Sequence, residues 1–202
     1  GAGRTDAQVH AKMMVAHFDV AESIDDLKKL TYKMNSLLPN SIAVQKIVSV
    51  PADLHARFSA TARSYEYHIH QDKNPFNVER SYYYNQELDV EKMNAAAKIL
   101  FEYEDFSCFS KSHTQTFTNN CDIKTAYWEV ESEGIVFHIT ANRFLRNMVR
   151  AIVGTLLEIG AGKMEVNDLH QIIQSKNRSL AGSSVPACGL YLSCVQYPIQ
   201  PF

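Results

Sequence analysis

The chain has 202 residues, 46% of them apolar and 21% charged, with a formal net charge of -2 and an isoelectric point near 6.5. These proportions exclude extensive disorder, and no apolar run approaches the roughly twenty residues that a membrane-spanning helix needs. The length suits one large or two small domains, and two are expected here.

The opening residues carry neither a basic n-region nor an apolar h-region, so export is not expected. Cys108, Cys121, Cys188 and Cys194 form no C-x-x-C pair and no zinc spacing, which fits reduced thiols in a cytoplasmic protein. Acidic residues crowd 22–26, 87–105 and 129–133. Two basic islands stand against them, Arg57 and Arg63 within 55–63, and Arg143, Arg146 and Arg150 within 142–150. Phosphate contact depends on such local patches, so the slight overall acidity does not exclude a nucleic-acid partner.

In chain order, Gly3-Arg4-Thr5-Asp6 makes a tight polar turn that presents Asp6 at a loop-to-strand junction. Two readings of Asp6 stand at this point: an Asx-turn residue capping its own backbone, or a carboxylate displayed for chemistry. Val9, Ala11, Met13 and Val15 alternate with more polar neighbours and predict a strand over 9–20. Ser23 offers an N-cap with Asp26 three residues on, and Ile24, Leu27, Leu30, Met34 and Leu37 predict a helix ending near Pro39-Asn40. Residues 42–50 are apolar and β-branched, predicting a strand closed by Pro51. A strand-helix-strand piece of this size cannot enclose a core alone, so a preceding half is expected.

Residues 63–70 alternate as a strand that places Arg63, Tyr65, Tyr67 and Ile69 on one side. Residues 71–75 are turn-like, and 77–84 offer a short edge segment. Asp89 caps a predicted helix striped by Val90, Met93, Ala97 and Leu100. The polar stretch 105–120 reads as a loop long enough to be functional. Residues 123–131 and 135–141 alternate around Ser132-Glu133-Gly134, a hairpin signal. Phe144, Leu145, Met148, Val149, Ile152, Val153, Leu156 and Ile159 predict an amphipathic helix stopped by Gly160 and Gly162. A shorter helix over 166–173 and a last strand over 190–197 follow. Gly160-Ala161-Gly162-Lys163 is not a phosphate loop, because Leu157 replaces the first glycine and Met164 the Ser or Thr.

From Ala62 the order is strand, helix, strand, strand, helix, strand, the ferredoxin-like split βαβ pattern. The expected fold class is α+β, with two ferredoxin-like domains in tandem and antiparallel sheets. Residues 1–54 are read as the C-terminal half of the first, carrying the Asp6 loop, and 55–202 as the second. His68 and His70 share a strand face without a Cys or carboxylate cluster, and a polar sheet face is favoured there over a metal site.

On a continuous helix Arg143, Arg146 and Arg150 fall at i, i+3 and i+7, opposite the apolar stripe. This face is either a solvated surface or a binder of phosphate or carboxylate. Taken with Asp6, Arg4, Arg57, Arg63 and the Tyr65/Tyr67 strand, the set suits a base extruded from RNA, stacked on an aromatic ring and held or attacked by a carboxylate.

The segment Gly3-Arg4-Thr5-Asp6-Ala7-Gln8-Val9-His10-Ala11 resembles the G-R-T-D-x-G-V-H-A signature of the tRNA pseudouridine synthase A (TruA) family. Residues 55–67 (HARFSATARSYEY), Phe144 to Arg150 with Gly154, and Gly189-Leu190-Tyr191-Leu192 before Tyr197-Pro198 are similar to later family blocks, in the same order. Gln8 departs from the pattern, standing where the family usually has Gly, and the family's first strands are absent from this sequence.

The resemblance implies isomerisation of uridine to pseudouridine in the anticodon stem-loop of tRNA, at positions 38–40. It implies Asp6 as the catalytic aspartate, Tyr65 as the ring stacked on the target uracil, and Arg150 as the partner of the carboxylate. It also implies Arg4 as a holder of the flipped-out base and Leu190 as part of the pocket wall. Arg57, Arg63, Arg143 and Arg146 complete the expected RNA-binding set. No cofactor or metal is expected, because the reaction is an internal rearrangement. A cytoplasmic homodimer is implied. Two alternatives remain: a truncated, catalytically impaired tRNA-binding module, and a glycoside hydrolase, for which no second carboxylate partners Asp6.

Overall fold

A computed structural model describes residues 1–111 and 117–198. In chain order its elements are β1 (His10–Ala11), α1 (Leu27–Leu37), β2 (Ala62–His70), β3 (Tyr82–Tyr83), α2 (Val90–Ile99), β4 (Ile123–Glu131), β5 (Gly134–Ala141), α3 (Met148–Gly160), α4 (Asp168–Ser175) and β6 (Leu190–Gln196).

The alternation that predicted β2 also sets the architecture. Of the side chains sharing a face with Arg63, Tyr67 and Ile69 are buried. β5 pairs antiparallel on one side of β2, from Arg63↔Ala141 to Ile69↔Ile135, and β6 pairs antiparallel on the other. The hairpin partner β4 lies outside β5, and β1 pairs parallel with β6, giving the order β1-β6-β2-β5-β4. β3 adds a parallel pair at the end of β2. The fold is therefore α+β, with a sheet of antiparallel and parallel strands.

Helices α2 and α3 complete the core. Met93, Ala96 and Ala97 of α2 and Met148, Ile152, Leu156 and Ile159 of α3 join Tyr67, Trp128, Phe137 and Ile139 of the sheet in one buried cluster. Burying each such large side chain stabilises by about 1.5–3 kcal/mol, which makes this cluster the main support of the fold. Asp89 caps α2, its carboxylate accepting from the Lys92 N–H at 2.9 Å. Gly160 ends α3 against α2, where an added Cβ would lie 2.4 Å from the Met93 sulfur. No helix among the described residues is long and apolar enough to cross a membrane.

Five expectations are corrected. The strand over 9–20 shrinks to β1, and no strand forms over 42–50. A strand needs a neighbour for its backbone groups, and the described residues supply one only at His10 and Ala11, beside Tyr191 and Leu192. Helix α1 begins at Leu27, capped by Asp26 accepting from the Lys29 N–H at 2.8 Å, so Ser23 is not the cap. α3 begins at Met148 rather than Phe144, because Asn147 adopts a left-handed φ of 68°. Arg143 and Arg146 therefore lie on the loop before the helix and do not share a helical face with Arg150. The short helix α4 sits two residues later than predicted. Residues 112–116 of the predicted loop over 105–120 lie outside the described residues.

Candidate active site

Asp6 opens a four-residue turn. The Val9 N–H donates to the Asp6 carbonyl at 3.3 Å, and Gln8, the third residue, has φ 70°. This pattern is a type II turn, whose third position favours glycine because a Cβ is strained there. Gln8 holds the conformation for which the family motif uses Gly. The turn runs into β1, and the Lys12 N–H extends the connection by donating to the Leu192 carbonyl at 2.8 Å. Pairing with β6 thus anchors the loop to the sheet.

Two guanidiniums meet the carboxylate. Arg150 Nη1 donates to Asp6 Oδ2 at 3.1 Å, and Arg146 Nη2 lies 3.7 Å from Oδ1. The side chains of Asp6 and Arg150 are 33% and 20% exposed, whereas that of Arg146 is 56% exposed, so Arg150 is the sheltered partner. Such charge-assisted contacts fix the direction in which a carboxylate points. The loop before α3 achieves the convergence. The Asn142 N–H donates to the Asp122 carbonyl, the Asp122 N–H to Asn142 Oδ1, and Leu145 drops into the core. The left-handed turn at Asn147 then starts α3, leaving Arg146 on one side of the turn and Arg150 in the first turn of the helix.

Tyr65 lies on β2 between Ile139 and Leu192, its ring edge-on to Phe144 at 5.2 Å. It packs against both buried clusters, so burial pushes its phenol above the ordinary 10.0, with Arg63 pulling the other way. That direction keeps it protonated at neutral pH. Its hydroxyl makes no hydrogen bond to Asp6 or to any other described residue, which leaves a ring held by packing.

The remaining arginines divide. Arg63 donates to the carbonyls of Ala60, Asn142, Ala2 and Arg57, tying the start of the chain, the 55–60 turn and the end of β5 together. Its guanidinium is engaged by these carbonyls, so it braces the frame of the site. Arg57 lies over the exposed ring of Phe58, 5.5 Å from its centroid. Arg4 is exposed with no partner among the described residues, and Arg143 is half-buried without an ion pair among them. Leu190, 7% exposed, packs in the main core at the start of β6.

His68 bonds to Glu66 at 3.0 Å and His70 stacks on Tyr83, so the two histidines do not converge. Sequence reading missed the supports of Arg150: its Nε donates to the Val185 carbonyl at 2.7 Å, and a backbone carbonyl has no side-chain signature to read.

Fold and site together define an α+β protein with a carboxylate held between two arginines beside a buried aromatic strand. Comparison with known proteins makes the class particular. A family model described as tRNA pseudouridine synthase matches residues 96–198. A Parabacteroides distasonis protein named tRNA pseudouridine synthase A is 54% identical over 202 residues, covering all of this chain and 80% of the relative. A Bacteroides fragilis protein of the same name is 53% identical, covering all of this chain and 81% of its own. One from Bacillus pumilus is 38% identical over 96% of this chain and 79% of its own. The chain belongs to the tRNA pseudouridine synthase family, a family of isomerases.

Proposed function

We propose that this protein converts uridine to pseudouridine in the anticodon stem-loop of tRNA, with Asp6 as the reacting carboxylate. The observation that carries the reading is the contact between Asp6 and Arg150, 144 residues apart in sequence and 3.1 Å apart in space. The N1–C1′ bond of the target uridine breaks, promoted by attack of Asp6 on the uracil ring or on the ribose. The uracil rotates, the C5–C1′ bond forms, the bond from Asp6 breaks and returns the free carboxylate, C5 gives up its proton and N1 takes one up. Atoms balance without an external reactant. Arg150 holds the Asp6 carboxylate aimed, and Tyr65 supplies a neutral face for the uracil to stack on. Arg4, Arg57 and Arg143 are the guanidiniums left to meet RNA phosphates or the extruded base. Arg146 is 56% exposed and in longer contact with Asp6, so it is the one able to turn toward the backbone of the RNA.

The order β6-β2-β5-β4 with α2 and α3 in one core supports a ferredoxin-like split βαβ unit over 55–202 as the catalytic and RNA-binding domain. Residues 1–54 are assigned to a neighbouring unit of the same kind that lends the Asp6 loop. A homodimer acting in the cytoplasm, where tRNA is found, completes the proposal.

The test is tritium release from tRNA carrying uridine labelled at C5, measured for the wild type, Asp6→Asn and Asp6→Ala. Release by the wild type and none by either variant is expected. Near wild-type turnover in either variant would sink the assignment.

A further inference from the structure

Arg150, which holds Asp6, is itself held by a strap of residues 178–185 laid across the start of α3. Val185 fixes Arg150 twice: its carbonyl accepts from Arg150 Nε at 2.7 Å, and its N–H donates to the Arg150 carbonyl at 3.2 Å. The preceding residue, Ser184, is half-buried, and its hydroxyl accepts from two side chains, Asn147 Nδ2 at 2.5 Å and Arg178 Nη2 at 2.9 Å. Arg178 also donates through Nη1 to the carbonyls of Ala181 and Gly182, which staples the strap to itself.

Close seating makes this possible. The Gly182 N–H donates to Thr155 Oγ1 at 2.9 Å, and an added Cβ on Gly154 would come within 1.8 Å of the Ser183 carbonyl oxygen. Asn147 is the hinge point, standing between Arg146 and the first turn of α3 with φ 68°. Asparagine tolerates that backbone better than most residues, but the side-chain bond to Ser184 fixes which way the turn faces. The direction of that turn decides where Arg146 and Arg150 point.

We propose that Ser184 is a positioning residue for the reaction. Its hydroxyl joins Asn147 to Arg178, locks the strap against the entrance of α3, and thereby brings Arg146 and Arg150 onto the two oxygens of Asp6. The inference rests on Asp6 being the reacting carboxylate. Serine suits the post because one small oxygen offers two lone pairs to two converging donors. Alanine would leave both donors without an acceptor in a half-buried place, and the strap would shift by the few tenths of an ångström on which carboxylate aim depends.

The experiment compares kcat and KM for tRNA pseudouridylation by the full chain as wild type, Ser184→Ala, Ser184→Thr, Asn147→Gly and Asp6→Asn. Ser184→Ala is expected to lower kcat about tenfold with KM changed by less than about twofold, since misaim rather than binding is the defect. Ser184→Thr keeps the oxygen and is expected to recover most of the wild-type kcat. Asn147→Gly accepts φ 68° without strain and removes only the tie to Ser184, so its kcat should fall in the same way. It carries the test if Ser184→Ala does not fold. A Ser184→Ala protein with wild-type kcat, a fall that Thr does not restore, or a rise in KM at constant kcat would each overturn the proposal. Asp6→Asn separates the two levels: if it stays active, the catalytic assignment has failed. If it is dead while Ser184→Ala runs at full speed, only the positioning role has failed.

Discussion

Helix α3 buries 11 of its 13 residues, whereas none of the 11 residues of α1 is buried. Each was read from the same apolar periodicity, so periodicity alone did not decide their burial. α3 lies under the sheet and meets α2. α1 leaves Tyr32 and Leu37 74% and 87% exposed. The candidate site draws on both regions. Asp6 comes from the sparsely packed first 54 residues, and Arg146 and Arg150 come from the densely packed remainder. A carboxylate delivered by a thinly packed segment must be placed by ties that cross between regions: β1 on β6, Arg63 on the Ala2 carbonyl, buried Ala2 and half-buried Val15 in one cluster with Leu192, and Lys12 on Glu66.

That contrast can be broken in several ways. The largest expected effect is in α3: Leu156→Ala should cost about 3 kcal/mol of stability, read as a lower urea midpoint, because it opens a cavity in the fully buried cluster. Gly154→Ala should cost about 2 kcal/mol, since its Cβ would force the Ser183 carbonyl away, and turnover should fall with it. A stable, fully active Gly154→Ala protein would show that the strap is not tightly seated.

Smaller effects are expected where the sparse region meets the sheet. Burial pushes the Glu66 carboxyl up, but hydrogen bonds and charge from Lys12 and His68 outweigh it and leave it below the ordinary 4.5. A depressed carboxylate contributes stability above its unfolded value and loses it as pH falls through the folded value. Glu66→Gln should therefore remove up to about 1 kcal/mol at pH 7 and flatten the loss of stability below about pH 4.5. An unchanged acid limb in thermal unfolding would refute the tie. Gln8→Gly should be neutral or stabilising by about 0.5 kcal/mol, the relief of left-handed strain slightly exceeding the added freedom of the unfolded chain. A loss above about 1 kcal/mol would mean that the Gln8 side chain supports the turn. Leu37→Ala should change stability by no more than about 0.5 kcal/mol, because the side chain is already in water. A large loss there would erase the comparison between the two helices.

The legibility of the chain follows the same division. β2, α2 with its Asp89 cap, the β4/β5 hairpin and β6 stand where alternation, capping and turn residues put them. Around the site, the motif order singled out Asp6, Tyr65 and Arg150. What could not be read was the loop geometry: that Arg146 leaves the helix, that Arg63 is consumed by four carbonyls, and that Val185 seats Arg150. These depend on backbone groups of distant segments, which carry no signature in residue type.

By itself the sequence determined the elements whose stability is local or whose pattern repeats: a helix closes its own hydrogen bonds, so α1 forms even with nothing buried. Tertiary structure decided how much of the strands expected in the first 54 residues could form, and which side chains meet at the site. A strand's hydrogen bonds belong to its neighbour, so 9–20 keeps only the two residues that β6 can pair and 42–50 keeps none. For the same reason the meeting of Asp6 with Arg146 and Arg150 exists only once β1 is paired, Asn147 is turned and the strap is in place. Side-chain chemistry set which groups could meet, and the packing of distant backbone set that they do.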